Sequence, residues 1–84
     1  MHTDPIQPFR DAVIEAEMAI DPDSTLVATW DRWGHDRTRT HLSNPDTLWG
    51  LEGNALKLVK AYLLWMEAVE RGPDAALMWK LAND

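Results

Sequence analysis

The sequence predicts a small α+β domain: an N-terminal helix, a β-hairpin, a long central helix and a short C-terminal helix, with an all-α small bundle as the alternative. Three observations lead there. Residues 54–71 repeat apolar side chains at three- and four-residue spacing over five turns. Residues 25–42 combine β-branched residues with a central Gly34-His35-Asp36 that suits a turn. Three proline phrases, Asp21-Pro22-Asp23, Asn44-Pro45-Asp46 and Gly72-Pro73-Asp74, punctuate the chain between these stretches. In each, proline fits the first turn of a helix, where its missing N–H costs nothing, and the aspartate after it faces the positive end of the helix dipole.

The first helix is expected over about residues 8–20. Asp4-Pro5 or Gln7-Pro8 starts it, and Phe9, Ala12, Val13, Ala16 and Ile20 form its inward stripe. Ile14 and Met18 fall on the opposite side, either as ordinary isolated apolar residues or as a contact with another chain.

Residues 25–43 admit two readings. Leu26, Val27, Trp30 and Trp33 have helical spacing, so a helix ending at Gly34 is one. It leaves residues 35–44 as a long structureless loop, which is uncommon in a compact domain. The hairpin reading avoids that loop: Thr25, Val27 and Thr29 are β-branched, and residues 37–42 alternate in character, making an edge strand protected by Arg37 and Arg39.

Next, from Asn44, a short helical turn is expected to carry Leu48, Trp49 and Leu51, with Gly50 and Gly53 arguing against one unbroken helix from Pro45 onward. Asn54 then caps the central helix. Its broad stripe of Ala55, Leu58, Val59, Tyr62, Met66 and Val69, widened by Leu56, Leu63 and Trp65, needs partners on more than one flank. Gly72 and Pro73 end it. A last helix over about residues 74–82 packs back through Leu77, Met78 and Leu81.

Eighty-four residues make one small domain, and 45% hydrophobic residues suffice for a core. Cysteine is absent, which removes disulfides, thiol catalysis and Cys-based zinc sites and fits a reducing compartment. Asp4 and Asp11 stand where a signal peptide needs basic and then apolar residues, and no run approaches a membrane span. The expectation is a cytoplasmic protein without membrane attachment. Of the net charge of −6, residues 1–23 hold −5, one arginine against six carboxylates. Such a segment favours solubility or a basic protein partner and disfavours nonspecific nucleic-acid binding.

Five tryptophans in so short a chain are the compositional anomaly. They are core material first; Trp49 and Trp65 are assigned there, and Trp30, Trp33 and Trp79 are candidates for partial exposure at an interface. Arg32, Arg37 and Arg39, with His35 and His41, interleave with Trp30 and Trp33, a mixture able to grip phosphates and stack bases. Asp31 and Asp36 lie within it, however, and the plainer reading is a solvated hairpin with arginine over an indole face. The same histidines and aspartates match no zinc spacing, so no metal or cofactor is assigned. No pocket or nucleophile pattern is visible either, and no enzymatic activity is expected. Leu64 sits among Lys57, Lys60, Glu67 and Arg71 on the central helix's solvent side; joined to Ile14 and Met18 or to Trp79, it would form a dimer or partner patch.

The functional expectation is therefore a non-enzymatic protein-interaction module, an acidic adaptor or inhibitor. Its binding residues would be Trp30, Arg32, Trp33, Arg37, Arg39, Leu64 and Trp79, and its partner another protein or a second copy of itself. The alternative is a small nucleic-acid-binding module built on the Trp/Arg hairpin.

Overall fold

The computed structural model describes residues 4–44, 46 and 53–83, and these form five helices and no strand: α1 (Gln7–Ile20), α2 (Leu26–Trp33), α3 (His35–Ser43), α4 (Asn54–Arg71) and α5 (Pro73–Asn83). The predicted β-hairpin is absent, and the architecture agrees with the all-α alternative. The expected turn with Leu48, Trp49 and Leu51 lies outside the described residues.

Periodicity explains why helix wins over residues 25–43. Val27 and Trp30 are three apart and both buried; Thr38 and Leu42 are four apart and also buried. Two inward positions on each short helix are enough to fix its face. Residues 37–40 alternate arginine with threonine, and Leu42 is the one apolar residue of 37–42, so the alternation marks no apolar strand face. The loop objected to in the helical reading does not exist, because residues 35–43 are themselves α3. One residue, Gly34, joins the two helices with φ of 86° and ψ of 167°, a conformation essentially restricted to glycine. The Thr38 hydroxyl, fully buried, donates to the Trp30 carbonyl at 2.9 Å and locks the joint.

α1 and α4 share the most extensive interface. They run antiparallel, since the Asn54 side-chain amide at the start of α4 donates to the Ala19 carbonyl near the end of α1. Asn54 is thus the first helical residue, and Gly53, with φ of 60°, holds the cap position that sequence had given to Asn54. The alanine at position 16 is buried as expected, whereas Ile20 is exposed. Glu17 on α1 reaches across to α2: its carboxylate accepts from the Val27 backbone N–H at 2.8 Å and from the Ser24 hydroxyl at 3.0 Å. A carboxylate from a neighbouring helix thereby satisfies one open N–H at the α2 N-terminus and meets the positive end of its dipole, while the Leu26 N–H donates to the Ser24 hydroxyl oxygen.

The core comprises Val13 and Ala16 of α1, Val27 and Trp30 of α2, Leu42 of α3, and Leu58, Val59, Tyr62 and Met66 of α4. Trp30 and Tyr62 meet edge to face at 5.1 Å. Gly72, at φ of 96°, ends α4 and turns the chain straight into α5, which returns where Ala68 and Ala76 are both buried. Small side chains there allow close approach of the two backbones. Among the described residues, no helix is long and apolar enough to cross a membrane.

Candidate functional site

The residues singled out by sequence separate into three places. Trp30 is only 5% exposed, which corrects its assignment as a partly exposed binding residue: the helical spacing of α2 turns its ring onto Tyr62. Trp33 is half-buried, with the Arg37 guanidinium 4.4 Å above its ring and His41 edge-on at 5.1 Å. Arg37 thus protects an indole face, and there is no strand edge for it to guard. Arg39 pairs with Glu70 of α4, which also meets His35 Nδ1 at 3.5 Å. Arg32 is exposed on α2, within 3.5 Å of the Thr29 hydroxyl.

A second cluster, unread in the sequence, lines an open cleft of about 510 Å³ between α1, α2 and α4. Arg10 donates to both oxygens of Asp31, at 3.2 and 2.7 Å, and the Tyr62 hydroxyl donates to Asp31 Oδ1 at 2.7 Å. Arg10 also lies 4.6 Å over the Trp65 ring, so Trp65, expected in the core, is half-buried at its margin. Partial burial opposes ionisation of Asp31, but the hydrogen bonds from Arg10 and Tyr62 outweigh it and hold the carboxylate below its usual range. Partial burial and the bond to Asp31 push the Tyr62 phenol well above its ordinary value. At neutral pH the cluster is a fixed ion pair with a neutral phenol, poised to exchange no proton. Its members are 21 and 31 residues apart, and no local motif announces them.

The third place is a groove of about 430 Å³ on the far side of α4. Leu56, Ala61, Leu63 and Leu64 of α4 form its apolar surface, Ala12 contributes from α1, and Trp79 and Asn83 contribute from α5. Helical geometry puts Leu64 here, one turn from Lys60 and two from Lys57 along the same strip. Leu64 and Trp79 therefore meet in one surface, the conjunction that the sequence could state only as a condition. Ile14 and Met18, 43% and 61% exposed, do not line it.

The charge around this groove is the reverse of the chain's. Lys57, Lys60 and Lys80 line it, and they are all the lysines the chain has. No carboxylate lines it among the described residues. Among the described residues, none of the three lysines takes part in an ion pair, although every arginine except Arg32 and Arg37 does. Arg10, Arg39 and Arg71 are engaged with carboxylates and Arg37 with an indole ring, whereas the lysines stand beside apolar surface.

Among the described residues no three His, Asp or Glu side chains converge as a metal-binding group. Comparison with protein-family models, with curated proteins and with solved structures returns no match.

Proposed function

We propose that the chain is a non-enzymatic interaction module, an adaptor or inhibitor that binds another protein through the groove between α1, α4 and α5. The observation that carries this reading is the pairing of Leu64 and Trp79 in one open apolar groove lined by all three lysines of the chain. Water-exposed apolar surface of this kind is stabilised by covering it, and tryptophan in a partly desolvated pocket is a common centre of binding energy. α1 and α4 hold the groove through the buried core, while α5 is anchored at buried Ala76 and leaves Leu77, Met78 and Leu81, expected to pack back, exposed.

The nucleic-acid reading has less to stand on. Trp30 is buried, Arg39 is held by Glu70, and Arg37 lies on the Trp33 face that a base would need.

A photo-crosslinking residue placed at position 64, with another at position 37 as comparison, tests the choice in an extract of the cells that make the protein. Protein adducts that form from position 64 and vanish with Trp79→Asp are the expected outcome. Nucleic-acid adducts from position 37, with none from position 64, would overturn it.

A further inference from the structure

We infer that the occupant of the groove is an acidic amphipathic helix presented by the partner protein. This inference rests on the interaction-module reading and adds the chemistry of the partner.

Charge complementarity carries it. Apart from the three groove lysines, the chain has five arginines against fourteen carboxylates, so a cationic partner would be attracted almost anywhere else before it reached this surface. Among the described residues, the groove instead has no carboxylate in its lining and holds all three lysines. Lysine stems also cover apolar surface while their heads stay in water, which extends the contact a partner's methyl groups can make.

Shape narrows the partner to a helix. The floor is itself a helix, and from Leu56 to Leu64 it runs roughly 12 Å at ~1.5 Å per residue, about two turns. An apolar stripe at i, i+3 or i+4, and i+7 spans that length, with Glu or Asp on its flanks meeting Lys57, Lys60 and Lys80. The described residues contain no strand, so no sheet edge is offered for an extended peptide. A long polyanion such as nucleic acid would extend past the groove onto an acidic surface; a two- or three-turn helix would not.

The test uses the full chain and three synthetic helical peptides with one shared leucine stripe, flanked by glutamate, glutamine or lysine. Fluorescence anisotropy is read over a series of salt concentrations. The glutamate peptide should bind about tenfold more tightly than the glutamine peptide at low salt, with the lysine peptide weakest. That preference should shrink as the Debye length falls below about 10 Å near 0.1 M salt. Changing all three lysines to glutamine should erase the preference and leave apolar binding, and Leu64→Asp, with an unchanged helical circular dichroism spectrum, should abolish binding altogether.

Equal binding of all three peptides would overturn the acidic partner while leaving the groove as an interaction site. Binding of none would remove the groove reading as well. Two other occupants have their own signatures in the same samples. A dimer seen by sedimentation, lost in Leu64→Asp and not displaced by the glutamate peptide, would give the groove to a second copy. Saturable binding of laurate without binding of the peptide would give it to an anionic lipid chain. Either result sinks the proposal.

Discussion

Thr38→Val separates the helical structure of residues 25–43 from the hairpin that their composition suggests. Thr38 is fully buried, and its hydroxyl donates to the Trp30 carbonyl at 2.9 Å across the Gly34 joint. Valine keeps the volume and the β-branch, so neither a cavity nor a new rotamer cost enters, and what is lost is one buried hydrogen bond. The acceptor is not orphaned, because the Gly34 N–H also reaches the Trp30 carbonyl at 3.3 Å. The cost is therefore the net value of a hydrogen bond, about 0.5–1.5 kcal/mol, and not the larger penalty of an unpaired buried carbonyl. For a domain of this size, 1 kcal/mol corresponds to a fall in melting temperature of about 4–8 °C. Urea denaturation followed by circular dichroism and by tryptophan fluorescence measures the change, and the slope against denaturant should be unaltered. On an exposed edge strand the same substitution would be neutral or stabilising, since valine is the better strand former. A Thr38→Val protein as stable as the parent, or more so, would refute the buried joint.

Three other outcomes follow from the core and the Arg10–Asp31–Tyr62 cluster. Met66 is fully buried, so Met66→Ala should cost about 2–5 kcal/mol, read as an earlier urea midpoint; a loss near zero would mean that the site collapses onto neighbours the packing does not provide. Asp31 has a depressed pKa, so its contribution is present above its ordinary value of 3.8 and is lost as pH falls through the lower folded-state value. The stability gap between the parent and Asp31→Asn should accordingly be flat near neutrality and close in strong acid; because Asp31 is 38% exposed, the gap is small, about 0.2–1 kcal/mol. Tyr62 is the chain's one tyrosine, and its raised pKa means the folded state holds the neutral phenol: its contribution is complete below about pH 10 and is lost as pH rises beyond that. Phenolate absorbance should thus emerge well above pH 10 and together with unfolding, and a normal titration in the folded protein would contradict the buried bond to Asp31.

The parts of this structure that were legible in sequence are those with long periodic patterns. α4 has five turns of apolar repeat and a glycine-proline terminator, and its bounds read directly from residues 54–71. α1 was legible through Val13 and Ala16 and its early prolines. α3 was not, because only Thr38 and Leu42 face inward, and threonine carries a strand preference that outweighs nothing once tertiary contacts exist. Leu64 stood out as apolar among charges, and its meeting with Trp79 required the angle at which Gly72 returns α5. The lysine ring was visible as three letters, but only folding shows that Lys80 joins Lys57 and Lys60. Arg10, Asp31 and Tyr62 come from three helices, and nothing within a turn of any one of them predicts the other two.

The one-residue joints at Gly34 and Gly72 also bear on how quickly the chain finds this arrangement. Each joins two helices so closely that their mutual docking closes almost no loop, and the entropy of bringing them together is already limited by the covalent link. The extended searches are those that bring α1, α2 and α3 onto α4, through pairs such as Asp31–Tyr62 and Arg39–Glu70, each 31 residues apart. These longer closures, and not the glycine joints, limit the rate. Changes at Ala68 or Ala76, in the α4–α5 turn that closes early, should then slow folding, while mutations in the later α1–α4 seam, such as at Val13, should chiefly quicken unfolding. Two glycines thus set the order of events as well as the shape they end in.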